Sequence, residues 1–198
     1  MSVTSTVTAT NVSTGKPKIS GAVYRAPKGS TLPTNATGAL DAAFIGMGYC
    51  SEDGLTNSNA PSMSATKAWG GDIVMQSQEE KEDTFGLTLI ESLNIDVLKA
   101  IYGSSNVTGS ALASGIRVAA NRGEPEEGAW VIDMIMRGGV LKRIVIPDAV
   151  VTDIGEITYN DTDPVSYELT LSAFPDSDGN THYEYIQSTP GGATGATS

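Results

Sequence analysis

The sequence predicts a mainly β protein, an antiparallel β-sandwich or barrel with one flanking α-helix, and three observations carry that prediction. Apolar and polar side chains alternate with a period of two through the middle of the chain. Turns rich in glycine, asparagine and aspartate separate the alternating runs. A single segment shows helical spacing. At 198 residues the chain can bury one core without staples. A parallel α/β sheet is excluded by the shortage of helices to make its crossovers.

In chain order, residues 1–16 read as a flexible arm, in which Val3 to Ala9 alternate so as to form a strand once a partner offers an edge. Residues 17–187 hold the domain, and 188–198, almost all Gly, Ala, Thr and Ser, read as a flexible tail. Lys18–Tyr24 is the first strand candidate. Arg25–Ala68 lacks sustained periodicity and reads as one long loop, far beyond the 12 to 15 residues or so that compact domains tolerate without a purpose. Within it, Phe44, Ile45, Met47 and Tyr49 form an apolar island, costly to leave in water at about 25 cal/mol per Å².

Gly71–Ser77 is a second strand candidate, leading to an acidic hairpin tip at Glu79, Glu80, Glu82 and Asp83. Thr84–Ile90 is the clearest strand, with Phe85, Leu87 and Leu89 on one face and Thr84, Gly86 and Thr88 on the other. Helical spacing of Val97, Leu98, Ile101 and Tyr102 predicts one helix over 94–102, with Asn94 as N-cap, Asp96 in the first turn and Gly103 past the end. Gly115–Asn121 is another strand candidate. Trp130–Met136 and Val140–Ile146 read as a hairpin around Arg137-Gly138-Gly139, ending at Pro147. Asp148–Tyr159 is less regular, with room for one short strand. Val165–Ala173 repeats the half-buried alternation, and Asp178-Gly179-Asn180 turns it into a last strand, Thr181–Gln187, giving seven to nine strands in all.

Composition narrows function by exclusion. Twelve Lys and Arg against 23 Asp and Glu leave a net charge of −11, poorly suited to gripping duplex DNA. The charge is uneven: residues 1–50 carry +3, with Asp41 the sole acid, and the rest is strongly negative. Opposite signs on one small chain favour head-to-tail association of copies. Cys50 has no cysteine to pair with, which fits a reducing compartment. Met1–Thr10 has neither the basic nor the apolar region of a secretory signal, and no apolar stretch approaches the roughly 20 residues of a membrane-spanning helix.

No catalytic constellation emerges, and the chain reads as a non-enzyme without metal or cofactor. His182 is the single histidine and has no ligand partners at zinc spacing; it reads as a surface or packed residue. Cys50 reads as an inert buried thiol. Gly46-x-Gly48 lacks the last glycine of a dinucleotide fingerprint, and Asp176-x-Asp178-Gly179 reads as a tight turn in preference to a calcium loop. The acidic clusters at 79–83 and at Glu124, Glu126 and Glu127 read as solvated carboxylates.

Four phrases carry a family likeness: Phe44-Ile-Gly-Met-Gly-Tyr-Cys-Ser-Glu-Asp-Gly-Leu-Thr, Trp69-Gly-Gly-Asp, Leu89-Ile-Glu-Ser and Val97-Leu-Lys-Ala-Ile-Tyr-Gly. With a basic N-terminal strand and a β-rich C-terminal half, the chain resembles, over roughly residues 17–187, the major tail proteins (tail tube proteins) of long-tailed, siphovirus-like bacteriophages. The resemblance implies a virion structural protein, made and assembled in the host cytoplasm, whose hexameric rings stack into a tube that conducts DNA during delivery. It also implies a continuous inner β-barrel, a long loop, here Arg25–Ala68, reaching the adjacent ring, and no catalytic residue. Implied partners are further copies of the chain, the tape measure protein, the tail terminator and the distal tail protein; DNA passes without specific binding, and no membrane anchor is expected.

On that frame, Thr84, Thr88, Glu79, Glu80, Glu82 and Asp83 are the lumen-facing candidates, and Phe44, Ile45, Met47 and Tyr49 the inter-ring candidates. Two other readings remain open. One is another self-assembling β-protein, such as the inner tube of a contractile injection apparatus; the other is a monomeric ligand-binding β-sandwich, which would want aromatics clustered at loop tips, whereas Trp69 and Trp130 read as strand starts.

Overall fold

The computed structural model describes residues 9–18 and 21–188. In chain order the strands are β1 (Gly15–Pro17), β2 (Val23–Pro27), β3 (Ile45–Gly46), β4 (Cys50–Ser58), β5 (Pro61–Lys67), β6 (Ile73–Lys81) and β7 (Thr84–Leu89). The helix α1 (Ile95–Tyr102) follows, then β8 (Val107–Thr108), β9 (Arg117–Val118), β10 (Gly128–Met136), β11 (Val140–Ile154), β12 (Tyr167–Ala173) and β13 (Tyr183–Ser188). All pairings among the described residues are antiparallel. The protein is mainly β, as the alternation predicts.

Nine strands make one sheet in the order β3-β2-β10-β11-β12-β7-β4, with β1 added to β10 and β13 to β11. The sheet does not close into a barrel. Its core lies on one face, where Trp130 and Ile132 of β10, Ile144 and Ile146 of β11, and Phe85, Leu87 and Leu89 of β7 meet Leu169 and Leu171 of β12. The helix α1 joins the same cluster through Val97, Leu98, Ala100 and Ile101. It starts where its capping chemistry dictates: the Asn94 side chain accepts the Asp96 N–H, and Gly103, at φ 91°, ends it by donating to the Lys99 carbonyl.

The pair β10–β11 is buried on both faces, which its near-continuous apolar run reflects. Ala129, Val131 and Val145 project away from the main core yet are fully buried, together with Asp133 and Arg143, which sit opposite each other in the ladder. The segment 28–44 lies over this second face. The Arg143 guanidinium grips Asp133 through both carboxylate oxygens, at 2.6 and 2.8 Å, and donates its remaining nitrogen to the carbonyls of Asn35 and Gly38 at 3.1 and 2.8 Å. Lys18 approaches the same carboxylate at 3.5 Å. A planar five-donor fork is the side chain suited to joining a carboxylate on the sheet to two carbonyls of a crossing loop.

Several expectations need correction. The strand expected to end at Pro147 runs on to Ile154. Proline is tolerated because on one edge β11 changes partner there, Val140–Val145 pairing with β13 and Ala149–Ile154 with β12. On the other edge the β10 ladder is bulged, stepping from Trp130↔Ile146 to Gly128↔Ala149, so no ladder pairing falls on residue 147. Gly115–Asn121 yields only the two residues of β9. The strand expected over Lys18–Tyr24 begins only at Val23, as β2, and a short β1 at Gly15–Pro17 precedes it; residues 19 and 20 lie outside the described residues. The arm's Val3–Thr8 and the tail beyond Ser188 lie outside them as well. Arg25–Ala68 is not one irregular loop, since β3, β4 and β5 fall within it. Finally, β6 pairs with β5 and not with β7, so Glu79 to Asp83 is no hairpin tip.

Replacing Arg143 by methionine strands Asp133 in the interior and is expected to cost about 3 to 5 kcal/mol in urea unfolding, as for one broken partner of a buried pair. Combining Asp133→Leu with Arg143→Met recovers most of that loss, while residues 28–44 become readily cleaved by protease because their carbonyls have lost their donors. A loop that stays protected in the double variant contradicts this assignment.

Candidate functional site

The features that mark this molecule are unfinished edges. Among the described residues β4 has one partner, β7, and β13 has one, β11, so each offers a free row of backbone donors and acceptors to water or to another strand. The second feature is the hairpin β5–β6. Its strands pair from Pro61↔Lys81 to Lys67↔Ile73 and form a separate two-stranded sheet. Nearly every residue of both strands is exposed on both faces. Met63, Ile73, Val74 and Met75 stand half or more exposed along it, and Trp69 in the turn is fully exposed. A lone two-stranded hairpin is marginal in water, and this one displays an apolar patch besides.

The inter-ring candidates divide. Met47 is buried at 2 % exposure in the main core, and Phe44 is half-buried beside it in sequence, its N–H bonded to the Asp41 carbonyl. The fold itself therefore covers part of the apolar island. Ile45 and Tyr49 remain exposed at 48 % and 72 %. Glu91 accepts the Tyr49 N–H at 3.0 Å and the Asn94 amide at 2.9 Å, tying the segment between β3 and β4 to the helix start. A side chain at Gly48, φ 72°, would collide with the Glu91 carboxylate. Burial, with the Glu91 charge, pushes the Cys50 thiol up to about 11, so it stays protonated and unreactive at neutral pH.

The lumen candidates divide too. Thr84 and Thr88 sit half-exposed on the face of β7 opposite Phe85, Leu87 and Leu89. Register places Thr84 between Ser58 and Ser172, and Thr88 beside Glu168. With Thr56, Thr170 and Asp153 these build one face of small hydroxyls and carboxylates across β4, β7, β12 and the end of β11. Glu79, Glu80 and Glu82 are exposed, the first two on β6.

Asp83 is different: it is 3 % exposed, so its reading as a solvated carboxylate is overturned. Its oxygens accept from Thr181 Oγ1 at 2.5 Å and from Asn57 Nδ2 at 2.7 Å, and meet His182 Nδ1 at 2.5 Å. His182 in turn stands edge-on to Phe85, centroids 5.2 Å apart. Burial alone would raise the Asp83 pKa; the bonds from Thr181, Asn57 and His182, with the His182 charge, outweigh it and hold the carboxyl below its ordinary value. The second acidic cluster is also less solvated than its composition suggests. Glu126 accepts the Ser104 N–H at 2.7 Å and lies 3.6 Å from Arg25, and Glu127 pairs with Lys28 at 2.7 Å.

Sequence reasoning missed the hairpin's exposed apolar residues and placed Trp69 at a strand start instead of in the turn. The signal was present: Ser62-Met63-Ser64-Ala65-Thr66 alternates, and Gly70-Gly71 separates it from Ile73-Val74-Met75. No group of three or more His, Cys, Asp or Glu among the described residues is placed to hold a metal ion, and no described helix is long and apolar enough to cross a membrane.

Open edges, an exposed apolar hairpin and a polar sheet face make a β module with margins that other chains can complete. The family model for the phage tail tube protein matches residues 17–197. The chain belongs to that family and is a structural component of the phage tail. A search of curated proteins found no match.

The low-held carboxyl of Asp83 contributes stability above its unfolded value of about 3.9 and loses it as pH falls through the lower folded value. In urea titrations the wild type is therefore expected to exceed Asp83→Asn in stability at pH 6, with the gap closing as pH falls below the ordinary carboxylate range. A gap independent of pH contradicts an ionised, buried Asp83.

Proposed function

We propose that copies of this chain close into rings of six that stack as the tail tube, and that the tube conducts DNA into the host cell. The observation that carries the proposal is the hairpin β5–β6, exposed on both faces and tipped by Trp69. Such an arm is stable only when covered, and a neighbouring ring is the partner always present in a stacked tube. Ile45 on β3 and Tyr49 just before β4, both exposed, are assigned to apolar contacts between subunits as well. Edge strands β4 and β13 are margins through which adjacent subunits can continue the sheet.

In this arrangement the face bearing Thr84, Thr88, Thr170, Ser172, Glu168 and Asp153 turns to the channel. Small hydroxyls offer no grip, and the carboxylates repel phosphates within a Debye length of roughly 8 Å, so the duplex slides without sticking. Glu79, Glu80 and Glu82 belong to the hairpin and its root and are assigned to contacts between subunits. Neighbours at the tube ends are a tail terminator and a distal tail protein, and the tape measure protein fills the channel before DNA does.

Electron microscopy and light scattering on purified protein test the proposal. Raising the concentration is expected to convert 20.5 kDa particles into stacked rings with sixfold symmetry, whereas the double variant Trp69→Ser, Ile73→Ser remains small. Side-chain-resolution images of the tube should show Thr88 and Glu168 facing the channel. A protein that stays solitary at every concentration, or a channel lined with lysine and arginine, overturns the reading.

A further inference from the structure

We infer that the hairpin is a jointed arm and that Asp83 is the positioning residue that sets its joint. The strands of β4–β5 and β6–β7 form one long ribbon whose ladders, each bulged internally, are separated by one stretch outside any strand. The inner ladder ends at Ser58↔Thr84 and the outer one begins at Pro61↔Lys81. Between them lie two residues on each side, Asn59-Ala60 and Glu82-Asp83, none of which is in a strand. An interruption at matching points in both strands removes the cross-strand bonds that would otherwise stiffen the ribbon.

The side chain at this level with the most partners is Asp83. Its carboxylate is held by Asn57 from the inner strand β4 and by Thr181 and His182 from the segment that opens β13. Its carbonyl accepts the Ala173 N–H of β12. Asn57 also donates to the Thr84 carbonyl at 3.1 Å, so both inner strands are tied to one node. Beyond the node the arm makes no strand pairing with the main sheet among the described residues. One buried carboxylate thus determines how the outer ribbon leaves the domain. Asn59 Oδ1, on the facing side of the break, is buried with no hydrogen-bond partner among the described residues, a cost that a different setting of the joint can relieve.

The consequence for assembly, that a fixed arm angle presets ring-to-ring stacking, rests on the tube reading; the joint itself does not. The test therefore reads the soluble subunit first. Trypsin has two sites on the arm, Lys81 at the joint and Lys67 beside the turn. In Asp83→Ala, cleavage after Lys81 is expected to rise about tenfold relative to cleavage after Lys67, as expected when only the root opens locally. Thr181→Ala, which keeps the carboxylate and its His182 and Asn57 partners, should give a smaller rise in the same ratio, which keeps the test available if Asp83→Ala fails to fold. An unchanged ratio, or equal acceleration at both sites and at Arg143 in the core, overturns the joint. Loss of tube formation in a variant with an unchanged ratio refutes Asp83 as the setting residue while leaving the tube reading intact. A wild type that never polymerises refutes the tube reading while the cleavage ratio still decides the joint.

Discussion

A ribbon of two β-strands with water on both faces cannot hold itself together for long, and the rest of this structure is arranged around that constraint. Two strands satisfy only one edge of each backbone, and side chains on an uncovered hairpin bury little area against each other. The hairpin here adds a tryptophan in its turn and a cluster of Ile, Val and Met along its outer strand. A surface like that is stable in company and a hazard in isolation. Membership of the phage tail tube family supplies the company: copies of the same chain.

An arm needs an anchor, and the anchor is the pair β10–β11. It is the most deeply buried part of the molecule because it is covered twice, by the main core on one side and by residues 28–44 on the other. The buried Arg143–Asp133 pair contributes specificity more than strength. Apolar residues could fill that volume at no loss, but only a guanidinium joins one strand's carboxylate to two carbonyls of a crossing segment. The covering loop is thereby held in a single position. The β4 edge of the sheet is treated in the opposite way: among the described residues β4 is paired along one side alone, and it stops before the arm begins.

Much of this was legible in the residues. Period-two alternation located β7, β10 and β12 within two residues, the Asp178-Gly179-Asn180 turn did the same for β13, and capping chemistry fixed the helix, because each is a local effect. What escaped were the cases where a distant partner decides. Pro147 reads as a stop, yet lies inside β11 because that strand changes neighbours there. Asp83 reads as one more carboxylate in an acidic run, yet is buried because Thr181 and His182, about a hundred positions later, come back to meet it. Arg25–Ala68 reads as loop because β4 and β5 are made of Ser, Thr, Asn and Gly-rich segments whose pairing is set by β7 and β6 and not by their own propensity. Likewise Phe44 to Tyr49 reads as a uniform apolar flap, whereas the fold takes Met47 for itself and leaves Ile45 and Tyr49 outside.

The central claim is that the hairpin is completed by other copies of the chain. Amide hydrogen exchange on the free subunit and on the assembled particle addresses it most directly, residue by residue along 61–81. The account predicts fast exchange for these amides in the free subunit, against slow exchange in β10 and β11, and strong protection of the same amides once assembled. Equal protection in both states would contradict it.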